Sequence, residues 1–417
     1  MSIRFRIMVT TLTLLCAAYM APAVQAQQLL KEVIGANHIG GLYEFNPSTD
    51  YLNEGADELT NMGSKVIKIW FHNNAASWYS NQFNPANRQW PWINPNMEYK
   101  WQLVLAARMQ NYRDLFNRPF KTYVMVIMPA GAIVGGSRVY EPEFINGMTA
   151  AEITAEREAM YELTKELMMT YANTGKIFVL QNHEGDWLLR HNLQRDPSDP
   201  SFNPAASWII PDGTSPTVTA INGMRDWLAA RQAGVEQARN EFAAAYPNVT
   251  VQHATEVNRV SDARNGLTTV TNDVLPCVAG KTCARTDLYS YSVWDVNLDA
   301  EILRLNLEYL ATKTPGTDDI YIGEYGAGQN ANAGGSGDQQ KVIIERLTSA
   351  ALTFGARYIL YWDVYCNGPS TPSSPFPAHV NGDVVGFWLR RVDGSYTQVW
   401  SYFKSLVGST RRRAVAH

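Results

Sequence analysis

The 417-residue chain lacks an excess of basic residues. It carries 35 lysines and arginines against 39 aspartates and glutamates, which gives a net charge of -4. A protein that binds nucleic acid needs a basic face, so this balance predicts no nucleic-acid partner. The basic run Arg411-Arg412-Arg413 stands at the end of the sequence, and we interpret residues 411–417 as a solvated tail.

Cysteine and histidine are scarce, with four and seven residues. The sequence has no second cysteine pair, no His-x-His strand and no His-Glu-x-x-His helix, so the usual pattern of a zinc site is missing. We therefore expect no metal and no other cofactor. Cys277 and Cys283 are close enough to close one small loop by a disulfide if the chain is exported, which would leave Cys366 unpaired.

Long apolar runs are also missing, apart from one near the N-terminus. Two arginines precede an apolar stretch over residues 7–20, and small residues follow up to Ala26. The stretch is too short to span a bilayer and matches a secretory signal peptide. We predict that residues 1–26 are removed, with cleavage after Ala23 as the alternative. The mature protein is then expected to be periplasmic or secreted, a monomer, and not attached to the membrane.

No internal repeat and no low-complexity linker divides residues 27–410, so we expect one domain. Short apolar strands alternate with amphipathic helical stretches, of which 152–171 and 223–246 are the clearest. Eight such units predict a single (β/α)8 barrel of parallel strands. An open doubly wound sheet would show a glycine-rich phosphate turn after its first strand, and residues 35–41 lack that spacing. The predicted strands are 33–37, 66–71, 122–128, 177–182, 250–255, 288–293, 320–324 and 358–362.

Long segments follow the second, fourth and eighth predicted strands, at 72–95, 185–216 and 363–393. All three lie on the side of the barrel where enzymes of this architecture build their active sites. They hold many aromatic residues, whose flat faces suit stacking on sugar rings. The alternative is that these rings pack the loops onto the barrel. The aromatic residues are Trp78, Tyr79, Trp90, Trp92, Trp187, Trp208, Tyr365, Phe376 and Trp388.

Two glutamates stand where buried strands end. Glu324 ends the seventh strand in the sequence Ile-Gly-Glu-Tyr-Gly (322–326), and Glu184 follows the fourth strand. Two carboxyl groups at the carboxyl ends of barrel strands can cleave a glycosidic bond, one by protonating the leaving oxygen and the other by attacking the sugar. The alternative for Glu324 is a buried ion pair beneath the loops. Asp186 is a rival to Glu184 for the acid/base role.

These segments resemble the clan A retaining glycoside hydrolases, the superfamily of barrel cellulases and mannanases. Residues 322–326 are similar to the strand that carries the nucleophile of that clan, and residues 355–362 are similar to its eighth strand, which ends in a tryptophan. The clan places its acid/base glutamate after strand four and its nucleophile after strand seven. The resemblance therefore implies that Glu324 is the nucleophile, Glu184 the acid/base and Trp362 the platform under the sugar.

Two departures from the clan's pattern concern the surroundings of these glutamates. Residues 63–70 resemble its second strand, but Lys68 stands where the clan has an arginine that hydrogen-bonds the nucleophile. A lysine keeps the charge and loses the planar fork. We expect Lys68 to keep Glu324 ionised, and the charge of Glu324 to keep Glu184 protonated. Most members also place asparagine directly before the acid/base, whereas His183 intervenes here, which is similar to the mannanase branch.

Further contacts to the substrate are predicted near the strand ends. In the sixth strand the clan often has a histidine or tyrosine near the nucleophile, and the sequence does not choose between Tyr291, Ser292 and Trp294. Side chains after the first and second strands, including His38 and Asn73, could bind sugar hydroxyls or anchor loops. The full predicted set of substrate contacts is Asn37, Lys68, His72, Asn182, His183, Trp187, Tyr291, Trp294 and Trp362.

The sequence thus predicts an exported retaining glycoside hydrolase that cleaves a β-linked polysaccharide or oligosaccharide through a glycosyl-enzyme intermediate. One alternative is a non-catalytic carbohydrate-binding barrel, although two carboxylates and a tryptophan occur together in the motifs. The other alternative is a metal-dependent barrel hydrolase, which would need several histidines on one face. The candidates for that set are His38, His72, His183 and His253.

Overall fold

The computed structural model describes residues 29–410 except 73, 95–96, 128–132, 135–136, 139–142, 191–214 and 331–334. The predicted signal peptide, the basic tail, Asn73 and Trp208 lie outside the described residues. Within the described chain, eight parallel strands close into one barrel in sequence order, which confirms the predicted (β/α)8 fold. The strands are β1 (Ile34–His38), β2 (Val66–Phe71), β3 (Thr122–Ile127), β4 (Ile177–Gln181), β5 (Thr250–Val257), β6 (Leu288–Ser292), β7 (Ile320–Tyr325) and β8 (Ile359–Tyr361).

Helices connect the strands on the outside of the barrel. The predicted helices 152–171 and 223–246 correspond to α4 (Ala150–Thr170) and α6 (Val218–Phe242). A capping box starts α4, because Thr149 and Glu152 each bond the backbone amide of the other. No helix within the described ranges is both long and apolar enough to cross a membrane. The described α-helices are α1 (Tyr51–Met62), α2 (Tyr99–Ala107), α3 (Gln110–Phe116), α4 (Ala150–Thr170), α5 (Gly185–Leu189), α6 (Val218–Phe242), α7 (Val260–Arg264), α8 (Ala300–Ala311), α9 (Gly337–Phe354) and α10 (Gln398–Val407).

The barrel interior is apolar at its base and polar towards its mouth. The apolar layer consists of buried side chains that point inward from successive strands: Val66, Val124, Val179, Ala254, Leu288, Tyr321, Tyr358 and Leu360. Side chains two residues apart on a strand point to the same face. The next layer therefore lies two positions further along four of these strands, and it contains Lys68, Gln181, Glu256 and Ser290, all fully buried.

A β-bulge at Gly323 orients the end of β7. Tyr291 pairs with Ile322, but the next residue of β6, Ser292, pairs with Glu324, so β7 contains one extra residue. Gly323 is needed there because an added Cβ would lie 2.0 Å from the Ser290 hydroxyl oxygen. A bulge re-aims the side chain that follows it. Glu324 consequently points to the same side as Ser292, into the mouth of the barrel.

Irregular segments follow several strands at the carboxyl end of the barrel. Residues 72–98 and 362–397, which include two of the three predicted long loops, contain no α-helix among their described residues. The segment after β3 contains a short hairpin (Ile133–Val134 with Ser137–Arg138) that the sequence did not predict. Cys277 and Cys283 form the expected disulfide, and Cys366 is buried with a free thiol.

Candidate active site

Glu324 lies at the centre of the barrel mouth and is almost completely buried. Lys68 on β2 donates to its Oε1 over 2.8 Å. Its Oε2 accepts hydrogen bonds of 3.1 Å each from the Ser292 hydroxyl and the Trp294 ring nitrogen. Three donors, one from β2 and two from the end of β6, therefore hold this carboxyl group in one orientation. A carboxylate held by a cation and two further donors is fixed in place by charge-assisted hydrogen bonds.

Glu184 is the second carboxyl of the site, and Ser292 links it to Glu324. The Ser292 hydroxyl lies 2.9 Å from Glu184 Oε1 and 3.1 Å from Glu324 Oε2. The two carboxyl oxygens cannot be further apart than the sum of these distances, about 6 Å. A serine hydroxyl carries one proton, so it can donate to only one of the two carboxyls. The other carboxyl must be protonated to complete the second hydrogen bond.

The proton of this pair belongs on Glu184. Burial, followed by the charges of Glu324 and Glu256, raises the pKa of Glu184 well above its usual value. Burial also raises the pKa of Glu324, although Lys68 opposes that effect. Lys68 thus lowers the pKa of Glu324 as expected, but burial outweighs this contribution and the net pKa is raised. Lys68 still favours the charged form of Glu324 over that of Glu184, because it donates to Glu324 directly.

A third buried carboxylate, Glu256 on β5, lies beneath this pair. Its Oε2 accepts from Lys68 over 3.0 Å, and its Oε1 accepts from the backbone N–H of Glu184 over 3.1 Å. Burial alone would raise the pKa of Glu256, but Lys68 and the surrounding donors bring it below the usual value. The sequence analysis missed this residue because the predicted fifth strand ended at residue 255. The usable signal was a glutamate two positions after the inward-facing Ala254.

His183 and Trp70 form one wall beside Glu184. The His183 ring lies 4.7 Å from the Trp70 ring, centroid to centroid, and its Nε2 is 3.9 Å from Glu184 Oε2. Burial lowers the pKa of His183 to about 4, so the imidazole is neutral near pH 7. The Trp78 ring also packs on Trp70, with a separation of 4.1 Å between the ring centroids. This wall is aromatic and uncharged at neutral pH.

A second aromatic wall stands beside Glu324. The Trp294 ring meets Trp362 edge-on at 6.2 Å and Phe387 edge-on at 5.7 Å. All three rings are half-buried, so part of each faces open space. The structure therefore brings the predicted residues Trp294 and Trp362 together at the site and adds Phe387, which the sequence did not indicate. Half-exposed rings of this kind suit stacking on a sugar.

Two predicted sugar contacts instead link strands to each other. Asn37 donates to the carbonyls of Gly323, Leu360 and Tyr361 at 3.2 to 3.3 Å, below the carboxyl pair. Asn182 bonds both the backbone N–H and the backbone carbonyl of Glu256 at 2.9 and 3.1 Å. Their side chains are fully buried. The structure thus places both amides as anchors of the strand ends rather than at the open surface of the site.

Tyr291 is not brought to the site, because it points away from the barrel interior. Side chains alternate along β6, and Ser290 and Ser292 occupy the inward positions. The Tyr291 hydroxyl instead donates to Asp295 and accepts from Asn306 of α8 over 2.7 Å. Of the three alternatives in the sixth strand, Ser292 and Trp294 contact Glu324, and Tyr291 does not.

Asp186 and Trp187 belong to the packing of helix α5. Both carboxyl oxygens of Asp186 accept backbone hydrogen bonds, from Asn258, Arg259 and Val270 at 2.8 to 3.1 Å. Those amides occupy both carboxyl oxygens of Asp186, so its position does not support its role as a rival to Glu184. Trp187 is 6% exposed and lies under the Arg259 guanidinium, so the predicted contact of Trp187 with substrate is not supported by its position.

The four histidines of the metal hypothesis lie in different places. His38 packs on α1, where its Nε2 donates to the Tyr51 carbonyl over 2.8 Å. His253 faces the helix layer, close to Arg231 and Arg239, which lower its pKa together with burial. His72 accepts the backbone N–H of residue 74 at its Nδ1. Among the described residues, no three His, Cys, Asp or Glu side chains are grouped to hold a metal ion.

No protein-family model and no curated protein matches the chain. The exo-β-1,4-mannosidase Op5Man5 from Opitutaceae bacterium strain TAV5 matches in structure with 11% identity and a TM-score of 0.51, over 90% of this chain and 59% of that one. A family 39 glycoside hydrolase from the gut symbiont Bacteroides cellulosilyticus WH2 matches with 12% identity and a TM-score of 0.46, over 91% of this chain and 65% of that one. A GH5-4 broad specificity endoglucanase from Bacteroides salanitronis matches with 11% identity and a TM-score of 0.45, over 90% of this chain and 92% of that one.

The chain spans 59% of the length of the mannosidase that it matches. At 11% identity this likeness concerns the fold alone. The barrel expected from the clan A resemblance is present in both proteins. The chain is therefore similar in architecture to a solved glycoside hydrolase, and its own activity has to be argued from the site.

Proposed function

We propose that the protein is a retaining glycoside hydrolase with Glu324 as nucleophile and Glu184 as acid/base. The observation that carries the proposal is the single hydroxyl of Ser292 within hydrogen-bonding distance of both carboxyls. It limits the separation of the two oxygens to about 6 Å, close to the ~5–5.5 Å between carboxyls of retaining enzymes. Inverting enzymes need about 6.5–9.5 Å to leave room for a water molecule.

The reaction proceeds in two displacements at the anomeric carbon. In the first, Glu184 gives its proton to the glycosidic oxygen while Glu324 attacks the carbon, so the sugar becomes an ester of Glu324 and the alcohol leaves. In the second, the Glu184 carboxylate takes a proton from water, whose oxygen attacks the same carbon and releases Glu324. Lys68 and Trp294 donate to Glu324 and stabilise it as a leaving carboxylate.

The substrate we propose is a β-linked polysaccharide or oligosaccharide. The aromatic walls beside the two glutamates support a sugar-binding cleft, and the barrel shared with an exo-β-1,4-mannosidase supports a β-linkage. We also propose that the protein acts outside the cytoplasm, following the expectation from residues 1–26. We further propose that it is a monomer and needs no cofactor.

The stereochemical course of hydrolysis tests the proposal. Purified protein is incubated with a panel of β-linked glycans and aryl β-glycosides, and the first-formed reducing sugar is followed by NMR. The β-anomer is expected first, with the α-anomer appearing only by mutarotation. First release of the α-anomer would indicate an inverting mechanism. If the protein binds a glycan of the panel but hydrolyses none of them, a carbohydrate-binding barrel is favoured. If a chelator abolishes the activity, a metal-dependent hydrolase is favoured.

Replacement of Ser292 by alanine tests the hydroxyl between the carboxyls. We expect kcat to fall about 10- to 100-fold, because a hydrogen bond to a charged group contributes about 1.5–3 kcal/mol. Once Glu184 has lost its proton, the Ser292 hydroxyl can donate to it, and this hydrogen bond lowers the pKa of Glu184. Removal of the hydroxyl should therefore also move the alkaline limb of the kcat/KM profile to higher pH. Ser292→Thr, which keeps a hydroxyl, is the matched control. An unchanged alkaline limb in Ser292→Ala would contradict this role.

A further inference from the structure

Glu256 is completely enclosed below the two glutamates of the proposed reaction. Its Oε2 accepts from Lys68, from Gln181 over 2.8 Å and from Ser290 over 2.7 Å. Its Oε1 accepts the backbone N–H of Glu184. A buried carboxylate with four donors is ionised and fixed in place. Glu256 takes part in no step of the proposed mechanism.

The ammonium group of Lys68 has three protons and three buried acceptors. It donates to Glu256 over 3.0 Å, to Glu324 over 2.8 Å and to the Gly323 carbonyl over 3.2 Å. A lysine has three donors and one rotatable ammonium, so these acceptors fix its direction. Without Glu256, one proton of Lys68 would lose its buried acceptor and the ammonium could turn away from Glu324.

We infer, on the basis of the proposed glycosidase activity, that Glu256 is a positioning residue that sets the geometry and charge of both Glu184 and Glu324. It acts on Glu324 through Lys68, and on Glu184 through the backbone N–H at the start of α5. One carboxylate on β5 thereby ties together the ends of β2, β4 and β7.

The charge of Glu256 affects both glutamates in the same direction. Its negative charge raises the pKa of Glu184 and the pKa of Glu324. A neutral glutamine at 256 removes this charge and leaves Lys68 to Glu324, so both pKa values should fall. The titratable groups that face Glu256 from the surrounding strands are Lys68, His183, Glu184, Tyr321 and Glu324.

The pH dependence of kcat/KM tests the inference. The acid limb reports ionisation of Glu324, and the alkaline limb reports deprotonation of Glu184. In Glu256→Gln we expect both limbs at lower pH, by about one unit, and kcat reduced about 10- to 100-fold. The variant keeps the shape of the side chain, and circular dichroism verifies its fold. Reduced activity with unshifted limbs would mean that Glu256 only supports the structure, and would overturn the inference.

Glu256→Gln leaves Lys68 with one charged partner fewer, and removal of one charge of a buried ion pair can unfold a protein. The double variant Lys68→Gln/Glu256→Gln removes both charges and is a second test. At Glu324, the effect of Lys68 on the pKa is larger than the opposite effect of Glu256. At Glu184, the effect of Glu256 on the pKa is larger than the opposite effect of Lys68. The acid limb should therefore move up and the alkaline limb down, so that the profile narrows. A profile of unchanged width would contradict the inference.

The wild-type protein and Glu324→Gln separate failure of this inference from failure of the proposed function. If the wild type hydrolyses no glycoside, the glycosidase assignment itself is wrong, and if the wild type is active but Glu324→Gln is fully active, the assignment of Glu324 as nucleophile is wrong. If the wild type is active, Glu324→Gln is inactive and the limbs of both Glu256 variants stay in place, only the positioning role of Glu256 is wrong.

Discussion

Replacement of Glu324 by glutamine lowers kcat/KM on an aryl β-glycoside by at least about 10⁴-fold, in line with the loss of other catalytic nucleophiles. Glutamine has the same shape and can still accept from Lys68, but it carries no negative charge to attack the anomeric carbon. Lys68 keeps Glu256 as an ionised partner, so the barrel should remain folded. Initial rates measure the effect, and thermal unfolding monitors the fold.

A second readout identifies the attacked atom. Acid quenching during turnover of the wild type, followed by mass spectrometry, should detect a glycosyl ester on the peptide that contains Glu324. The Glu324→Gln variant should give no such adduct. Glu308→Gln on the exposed face of α8 is the matched control for loss of one glutamate charge, and its rate should stay within about twofold of the wild type, as for most surface changes. More than about 1% residual activity in Glu324→Gln would remove the nucleophile assignment.

Most strands of this barrel were predictable because they are buried on both faces. A largely apolar run marks such a strand, as in β2 and β3. The predicted bounds of all eight strands lie within two residues of the observed ones. The same property hides which side chains point inward, since both faces carry apolar residues. The sixth strand shows the consequence. The sequence left Tyr291 and Ser292 open, and only the register of β6 places Ser292 between the carboxyls.

The end of β7 could not be derived from alternation at all. Tyr321 points inward, so strict alternation would place Gly323 inward and Glu324 among the helices. The bulge at Gly323 reverses that phase, and the sequence gives no direct sign of it other than the glycine itself. Glu324 was identified through its resemblance to a family motif, which carries the bulge implicitly.

Polar residues at strand ends were the least predictable part of the site. Asn37 and Asn182 read as possible sugar contacts, because an amide near a strand end can face either the substrate or a neighbouring backbone. Which of the two it faces depends on strands far away in sequence: the partners of Asn37 lie near residues 323 and 360. Glu256 escaped notice for a related reason, since its function depends on Lys68, 188 residues away.

Replacement of Glu184 by alanine makes the rate depend on the leaving group. On a β-linked oligosaccharide, whose alkoxide leaving group needs a proton, kcat/KM should fall about 10³- to 10⁴-fold, within the usual range for general acid catalysis. On an aryl glycoside with an acidic phenol, the first displacement needs no proton and its rate should change little. The second displacement still lacks a base, so the glycosyl-enzyme should accumulate and give a burst of phenol.

Asp186→Asn provides the control, because Asp186 carries the neighbouring carboxyl and binds three backbone amides instead of facing Glu324. This variant should lose stability and keep the wild-type ratio of rates on the two substrates. In the wild type, the raised pKa of Glu184 preserves its proton at higher pH, and activity declines as pH rises through that pKa. Glu184→Ala should lose this alkaline limb of the profile, and Asp186→Asn should keep it. If Asp186→Asn shows the burst and Glu184→Ala does not, the proton donor is Asp186, and the link through Ser292 has a structural role only.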